Sequence, residues 1–270
     1  MPSTSIDIVR ASVFSTFAWL KNNKWLLFSM LIWPYLMTFL ILALGIIYGS
    51  LEMYKERLGI SNPVLYILAS SGIVMSSLII VDTVATSALY HRWLGTLPYL
   101  LLTPTKTYKV LLLEPIPSAI LSSTVSMLAV LPGAVLFEGL LGAGKLFLIL
   151  LIVYLGMLPL IGLSVVVASL TLVLREESNI VAFLTPLILL VSGVFYPIEI
   201  LPTVLRDLSS IFPTLYVVRA AKLTATYTIP EVRALLTLIS ALVILTFIYN
   251  GVAGFAIGES EKLIKKSGVV

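Results

Sequence analysis

Val64–Tyr90 reads VLYILASSGIVMSSLIIVDTVATSALY, with Asp82 its one charged residue. A bilayer core about 30 Å thick needs roughly 20 predominantly apolar residues of helix to cross it, and this stretch supplies more than that. Five others share its character, at 25–48, 110–137, 145–174, 178–198 and 232–257. The pattern predicts an all-α polytopic membrane protein: six transmembrane helices forming a single domain over 1–270.

Composition agrees. Of the residues, 59% are hydrophobic and 11% charged, whereas soluble domains are about a quarter charged. There is no cysteine, so disulfides and thiolate metal sites are excluded, and the lone His91 cannot build a histidine cluster. The net charge of +4 is not gathered into a basic run, so nucleic acid is not expected as a partner. The first apolar run starts at Trp25, is longer than a signal core and is followed by no small-x-small cleavage site. It reads as a retained anchor.

Six spans put both termini on one side. With that side cytoplasmic, the inner segments hold Arg10, Lys21, Lys24, Arg92, Lys106, Lys109, Arg175, Lys262, Lys265 and Lys266. The outer ones hold Lys55, Arg57, Lys145, Arg206, Arg219, Lys222 and Arg233. Ten against seven is a mild positive-inside bias, and the expected location is the cell membrane. Before the first span, residues 4–20 form an expected interfacial helix. Ile6, Val9, Val13, Phe17 and Leu20 recur at helical spacing, Thr4 serves as N-cap and Asp7 suits the positive helix end.

Charge inside the spans is scarce. Val64 to Asp82 is about 27 Å at helical rise, which places Asp82 near the inner headgroups; Glu114 and Glu199 also fall near span ends. No carboxylate chain marks a proton relay, so the driving energy must come from elsewhere. Ser70, Ser71, Ser76, Ser77, Thr83 and Thr86 make a polar stripe on the second span, and Gly72 with Ser76 forms a small-xxx-small pair. Such residues serve helix packing, or line a pathway. Pro34, Pro132, Pro159 and Pro186 fall inside spans, where each can kink its helix. Gly139-Leu-Leu-Gly142-Ala-Gly144-Lys145-Leu146 approaches a phosphate-binding loop, but Leu146 stands where a magnesium-binding hydroxyl is needed. It reads as a glycine-rich turn between two spans.

The loop after the second span reads His91-Arg92-Trp93-Leu94-Gly95-Thr96-Leu97-Pro98-Tyr99-Leu100-Leu101-Leu102-Thr103-Pro104. Thr96 is a candidate cap, Pro98 is tolerated in a first turn, and Pro104 ends the helix. So short a helix is marginal alone and needs something to dock on. Arg-x-x-Gly-Thr-Leu-x-x-Leu-Leu-x-Thr-Pro resembles the inner loop of ABC type-2 permeases, the membrane subunits of one class of ABC transporter. Ser192-Gly193-Val-Phe-Tyr-Pro197-Ile-Glu-Ile-Leu-Pro202, with Phe212-Pro213-Thr-Leu-Tyr216, resembles that family's outer end of span five.

The resemblance implies a coupling helix at 92–104 that docks on an ATPase subunit through Arg92, Trp93, Gly95, Thr96, Leu97, Tyr99 and Leu100. Where the family often carries acidic residues, this chain has Leu94 and Pro98, leaving Arg92 or the loop Arg175-Glu176-Glu177 to carry docking charge. It implies short outer re-entrant helices over 198–222, with a gate at Phe195, Tyr196, Pro197, Phe212 and Tyr216; an interfacial aromatic belt is the other reading of those aromatics. It implies an exporter built as a homodimer, or a heterodimer with a similar permease, with two copies of a separately encoded ATPase. ATP and magnesium would sit on the ATPase, and this chain itself would hold no cofactor and no catalytic site. The expected route is lined by Ser70, Ser76 and Ser77 of span two and Phe183, Thr185 and Leu189 of span five. Few charges line it, which favours a hydrophobic or amphipathic substrate such as a lipid, a drug-like molecule or a lipid-linked glycan. The alternative is an energy-independent carrier or an assembly scaffold. An intramembrane enzyme lacks a convergent catalytic pair.

Overall fold

The computed structural model describes residues 5–48, 63–103, 105–174, 179–193, 198, 201–227 and 231–266. Among these the chain is helical, without a strand. In order the helices are α1 (Ser5–Asn22), α2 (Lys24–Tyr48), α3 (Pro63–Trp93), α4 (Leu97–Leu102), α5 (Thr107–Leu113), α6 (Ile116–Leu174), α7 (Asn179–Val191), α8 (Thr203–Ser209), α9 (Pro213–Thr226) and α10 (Val232–Lys266). Three stretches are long and apolar enough to cross a membrane: Pro63–Trp93, the merged run Thr107–Val173, and Val232–Leu263.

The merged run is not one rod. Straight, α6 would measure about 90 Å, three times a bilayer core. It is interrupted at Gly139, whose φ of 63° and ψ of −147° suit only glycine. Contacts across the break reveal a reversal of the chain. A Cβ on Gly142 would run into the Ala134 carbonyl oxygen. Thr124 and Tyr154 share a hydrogen bond of 2.6 Å, and the Ser123 hydroxyl lies 3.6 Å from Met157 Sδ. Each pair is centred near residue 139, so α6 is an antiparallel hairpin with limbs at 116–138 and 140–174. Lys145 and Glu138, both largely enclosed, pair at 2.9 Å and clamp its tip. The lysine of the glycine-rich turn is thus consumed structurally. The four prolines, by contrast, all sit inside continuous helix, so the chain reverses at glycine rather than at proline.

Small residues set the remaining packing, as expected where hydrophobic transfer cannot drive helices together. Gly72 meets Met127 and Val130, and Gly133 meets Leu68, so α3 runs antiparallel to the first limb. Asn250 Nδ2 donates to the Leu158 carbonyl at 3.1 Å and Ser260 Oγ to the Ser169 carbonyl at 3.2 Å, so α10 runs parallel to the second limb. Between α2 and α3, the Pro34 carbonyl accepts the hydroxyls of Thr38 at 2.8 Å and Ser71 at 3.0 Å.

The α8–α9 pair folds into the bundle. The Tyr66 hydroxyl reaches the Gly193 carbonyl at 3.3 Å, which places the end of α7 beside the start of α3, at the Gly139 end. The chain next meets the bundle after α8, where the Ile211 carbonyl accepts the Tyr249 hydroxyl at 2.8 Å. Tyr249 lies about 25 Å along α10 from Val232. It then returns through α9, whose Val217 covers Gly156.

α1 inverts the rule for amphipathic helices in water. Ser12, Thr16 and Leu20 face the bundle, while Ile6 is 76% exposed and Phe14 and Phe17 are also exposed. An outward apolar face suits a helix resting on lipid. The expected cap Thr4 lies outside the described residues.

Candidate functional site

A cavity of about 600 Å³ opens between α1, α2, α3 and the start of the first limb of α6. Helical spacing builds its walls. Asp82, Thr83 and Thr86 project from one face of α3, Ser118 and Ser122 from one face of α6, and Ser12, Ser15 and Thr16 from the inner face of α1. Trp19, Tyr90 and Glu114 complete the polar part, and Leu20, Met30, Ile79, Leu121 and Val125 supply the apolar part. Ser12 Oγ donates to the Glu114 carbonyl and so fixes α1 as the lid of this space.

Beside the cavity, His91 links three elements. Its Nε2 lies 2.9 Å from Glu114 Oε2, and its Nδ1 lies 3.0 Å from Thr96 Oγ1. The side chain that touches the cavity carboxylate therefore also holds the entry to α4. Removing it leaves Thr96 and Glu114 without this bridge, a loss of about 1–2 kcal/mol. His91→Ala is expected to raise hydrogen exchange at Leu100–Thr103 while the amides of α3 stay protected; equal exchange in the two proteins would show that the bridge holds nothing.

α3 ends in a Schellman turn. The Thr96 amide donates to the His91 carbonyl at 2.9 Å and the Gly95 amide to the Arg92 carbonyl at 3.0 Å, with Gly95 at φ 69°. Arg92 and Trp93 thus belong to the last turn of α3 rather than to the short helix, which spans only Leu97–Leu102. Thr96 sits at the N-cap position but makes no side-chain capping bond; its hydroxyl turns back to the His91 carbonyl at 3.1 Å. Pro98 lies in the first turn, as expected. Leu97 and Leu101, each 6% exposed, pack on the bundle, so Leu97 seats α4 instead of presenting a surface. Tyr99 at 74% and Leu102 at 71%, with Trp93 and Leu94, form an outward apolar face, and Leu100 is half-buried.

The expected route residues separate. Ser70, Ser76 and Ser77 are buried within the protomer. Ser76 donates to the Gly72 carbonyl at 2.8 Å and Ser77 to the Ile73 carbonyl at 2.9 Å. The part of the polar stripe that meets open space is Thr83 and Thr86. Phe183 is 68% exposed on α7. Thr185 and Leu189 belong to the same helix, and their side chains are outside the described set. Arg175, Glu176, Glu177, Phe195, Tyr196 and Pro197 also lie outside the described residues. Phe212 is buried at the deep turn between α8 and α9, and the Tyr216 hydroxyl donates to the Ser210 carbonyl at 2.9 Å.

Sequence reasoning did not find the cavity's α1 and α6 walls. The signals were Ser12 with Thr16 and Ser118 with Ser122, pairs four apart that each put two hydroxyls on one helix face. Among the described residues no group of three acidic, histidine or cysteine side chains could hold a metal ion. No protein-family model and no curated protein matches this chain.

Proposed function

We propose that this chain is the membrane-spanning permease subunit of an ATP-driven exporter of the ABC type-2 class. It would work as a homodimer, or a heterodimer with a similar permease, with two copies of a separately encoded ATPase that supplies ATP and magnesium. The six spans of this reading are α2, α3, the two limbs of α6, α7 with its flanking residues, and α10. Both termini would then be cytoplasmic in the cell membrane, and α8 and α9 would be re-entrant from outside. The observation that carries the reading is α4. It lies on the stretch that resembles the coupling helix, is anchored inward by Leu97 and Leu101, and offers Tyr99 and Leu102 outward. A rigidly seated helix with an apolar outer face can transmit a partner's movement into α3 and α6. The substrate class remains hydrophobic or amphipathic.

The second reading is an energy-independent carrier or an assembly scaffold, which would need no ATPase partner.

Co-expression with an ABC ATPase encoded beside the permease separates the two. The exporter reading expects a complex that survives purification and hydrolyses ATP, with the rate responding to reconstitution in lipid. A permease that purifies alone from such cells, intact and monodisperse, moves the carrier or scaffold reading to the front.

A further inference from the structure

Among the described residues Asp82 and Glu114 are the acidic side chains lining the cavity under α1, no lysine or arginine borders it, and His91 is held on Glu114. The Asp82 carboxylate has no hydrogen-bond or ion-pair partner among the described residues; only its main-chain carbonyl is engaged, by Thr86 Oγ1 at 2.6 Å. Glu114 commits one oxygen to His91, which leaves Oε1 free of that contact. The Asp82 carboxylate is exposed and so is open to a cation entering this space. The indole of Trp19 and the phenol of Tyr90 add two ring faces that can attract a cation. The same cavity is also lined by the apolar side chains of Leu20, Met30 and Val125.

We propose that this cavity binds a cationic amphiphile, with an ammonium-type head at Asp82 and Glu114 and an apolar tail along Leu20, Met30 and Val125. The volume is within the roughly 300–1,000 Å³ of small-molecule sites. The lining supplies both a charged group and apolar side chains, as a ligand with a charged head and a greasy tail requires. An anionic head would meet the unpaired Asp82 carboxylate, so phosphate- or sulfate-headed amphiphiles are disfavoured here. The site lies within one protomer and depends on neither an ATPase nor a second copy. It therefore goes beyond the exporter reading and stands or falls separately.

The test uses the full chain alone, in nanodiscs of zwitterionic lipid, with radiolabelled dodecyltrimethylammonium and empty nanodiscs as background. The expected result is saturable binding at one site per chain, resisted by excess unlabelled dodecyltrimethylammonium but not by dodecyl sulfate. Asp82→Asn is expected to weaken it at least tenfold, and Ser118→Trp, which fills the volume, to abolish it. Should Asp82→Asn not give monodisperse protein, Ser122→Leu narrows the same volume and is read instead. Equal competition by dodecyl sulfate overturns the proposal, as does wild-type affinity in monodisperse filled-cavity variants. Because no ATPase is present, none of these outcomes depends on whether a complex forms.

Discussion

Gly162→Leu drives the second limb of α6 away from α10 and gives a protein that no longer purifies as a monodisperse species. The reason is backbone contact. A Cβ at Gly162 would lie 2.8 Å from the Tyr249 carbonyl carbon and 2.9 Å from the Asn250 nitrogen. Main-chain atoms cannot rotate aside as a flexible side chain can. Overpacking a well-fitted interface usually costs about 1–3 kcal/mol, and a whole isobutyl group against backbone exceeds the upper end of that range. The helices also lose the Asn250–Leu158 and Ser260–Ser169 bonds, which depend on the same close approach. Gly162→Ala should fall between the two, with a lower unfolding temperature in detergent. Gly254, on the same α10 but with no neighbour within 4 Å of its would-be Cβ, is the control. Gly254→Leu should behave as wild type. If Gly162→Leu and Gly254→Leu are equally stable, the parallel packing of α6 and α10 is wrong.

The second large effect is functional. Tyr99→Asp combined with Leu102→Asp is expected to cost the proposed complex most of its ATPase subunit while leaving the permease itself as stable as wild type. Both side chains are more than two-thirds exposed in the single chain, so the substitutions bury no charge in the fold. At a docked interface an aromatic anchor contributes about 2 kcal/mol, roughly thirtyfold in affinity. The measurement is retention of the ATPase through purification, with ATP hydrolysis as the second readout. Leu97→Asp reports something different. Leu97 is buried, so its aspartate detaches α4 from the bundle and destabilises this end before any partner is involved. A full complex with the exposed pair changed would place docking elsewhere, with the loop at 175–177 the next candidate.

The two variants also show where sequence reasoning stopped. The cap at Thr96, Pro98 in a first turn and the stop at Pro104 identified a short apolar helix, but not which of its residues look inward. That is fixed by the direction in which α3 ends, and the Schellman turn at Gly95 sets it. In the same way the glycine-rich run at 139–145 was legible as a turn between spans. That the reversal occupies one residue, clamped by Lys145 on Glu138, required the fold.

By itself the sequence determined that the chain is helical and built for a bilayer. Apolar length and the scarcity of charge are properties along one dimension, and the bilayer reads them in that dimension. It also determined that α1 is amphipathic, since periodicity is local. Only the tertiary structure decided that Ser12, Thr16 and Leu20 of α1 turn inward, that Ser76 and Ser77 are enclosed, and that Asp82 and Glu114 border one space with Ser12 and Trp19. Those residues come from helices far apart in the chain. What brings them together is close packing at Gly72, Gly133 and Gly162 and the fold-back at Gly139, and the balance of those contacts is settled by shape in three dimensions, which no local pattern encodes.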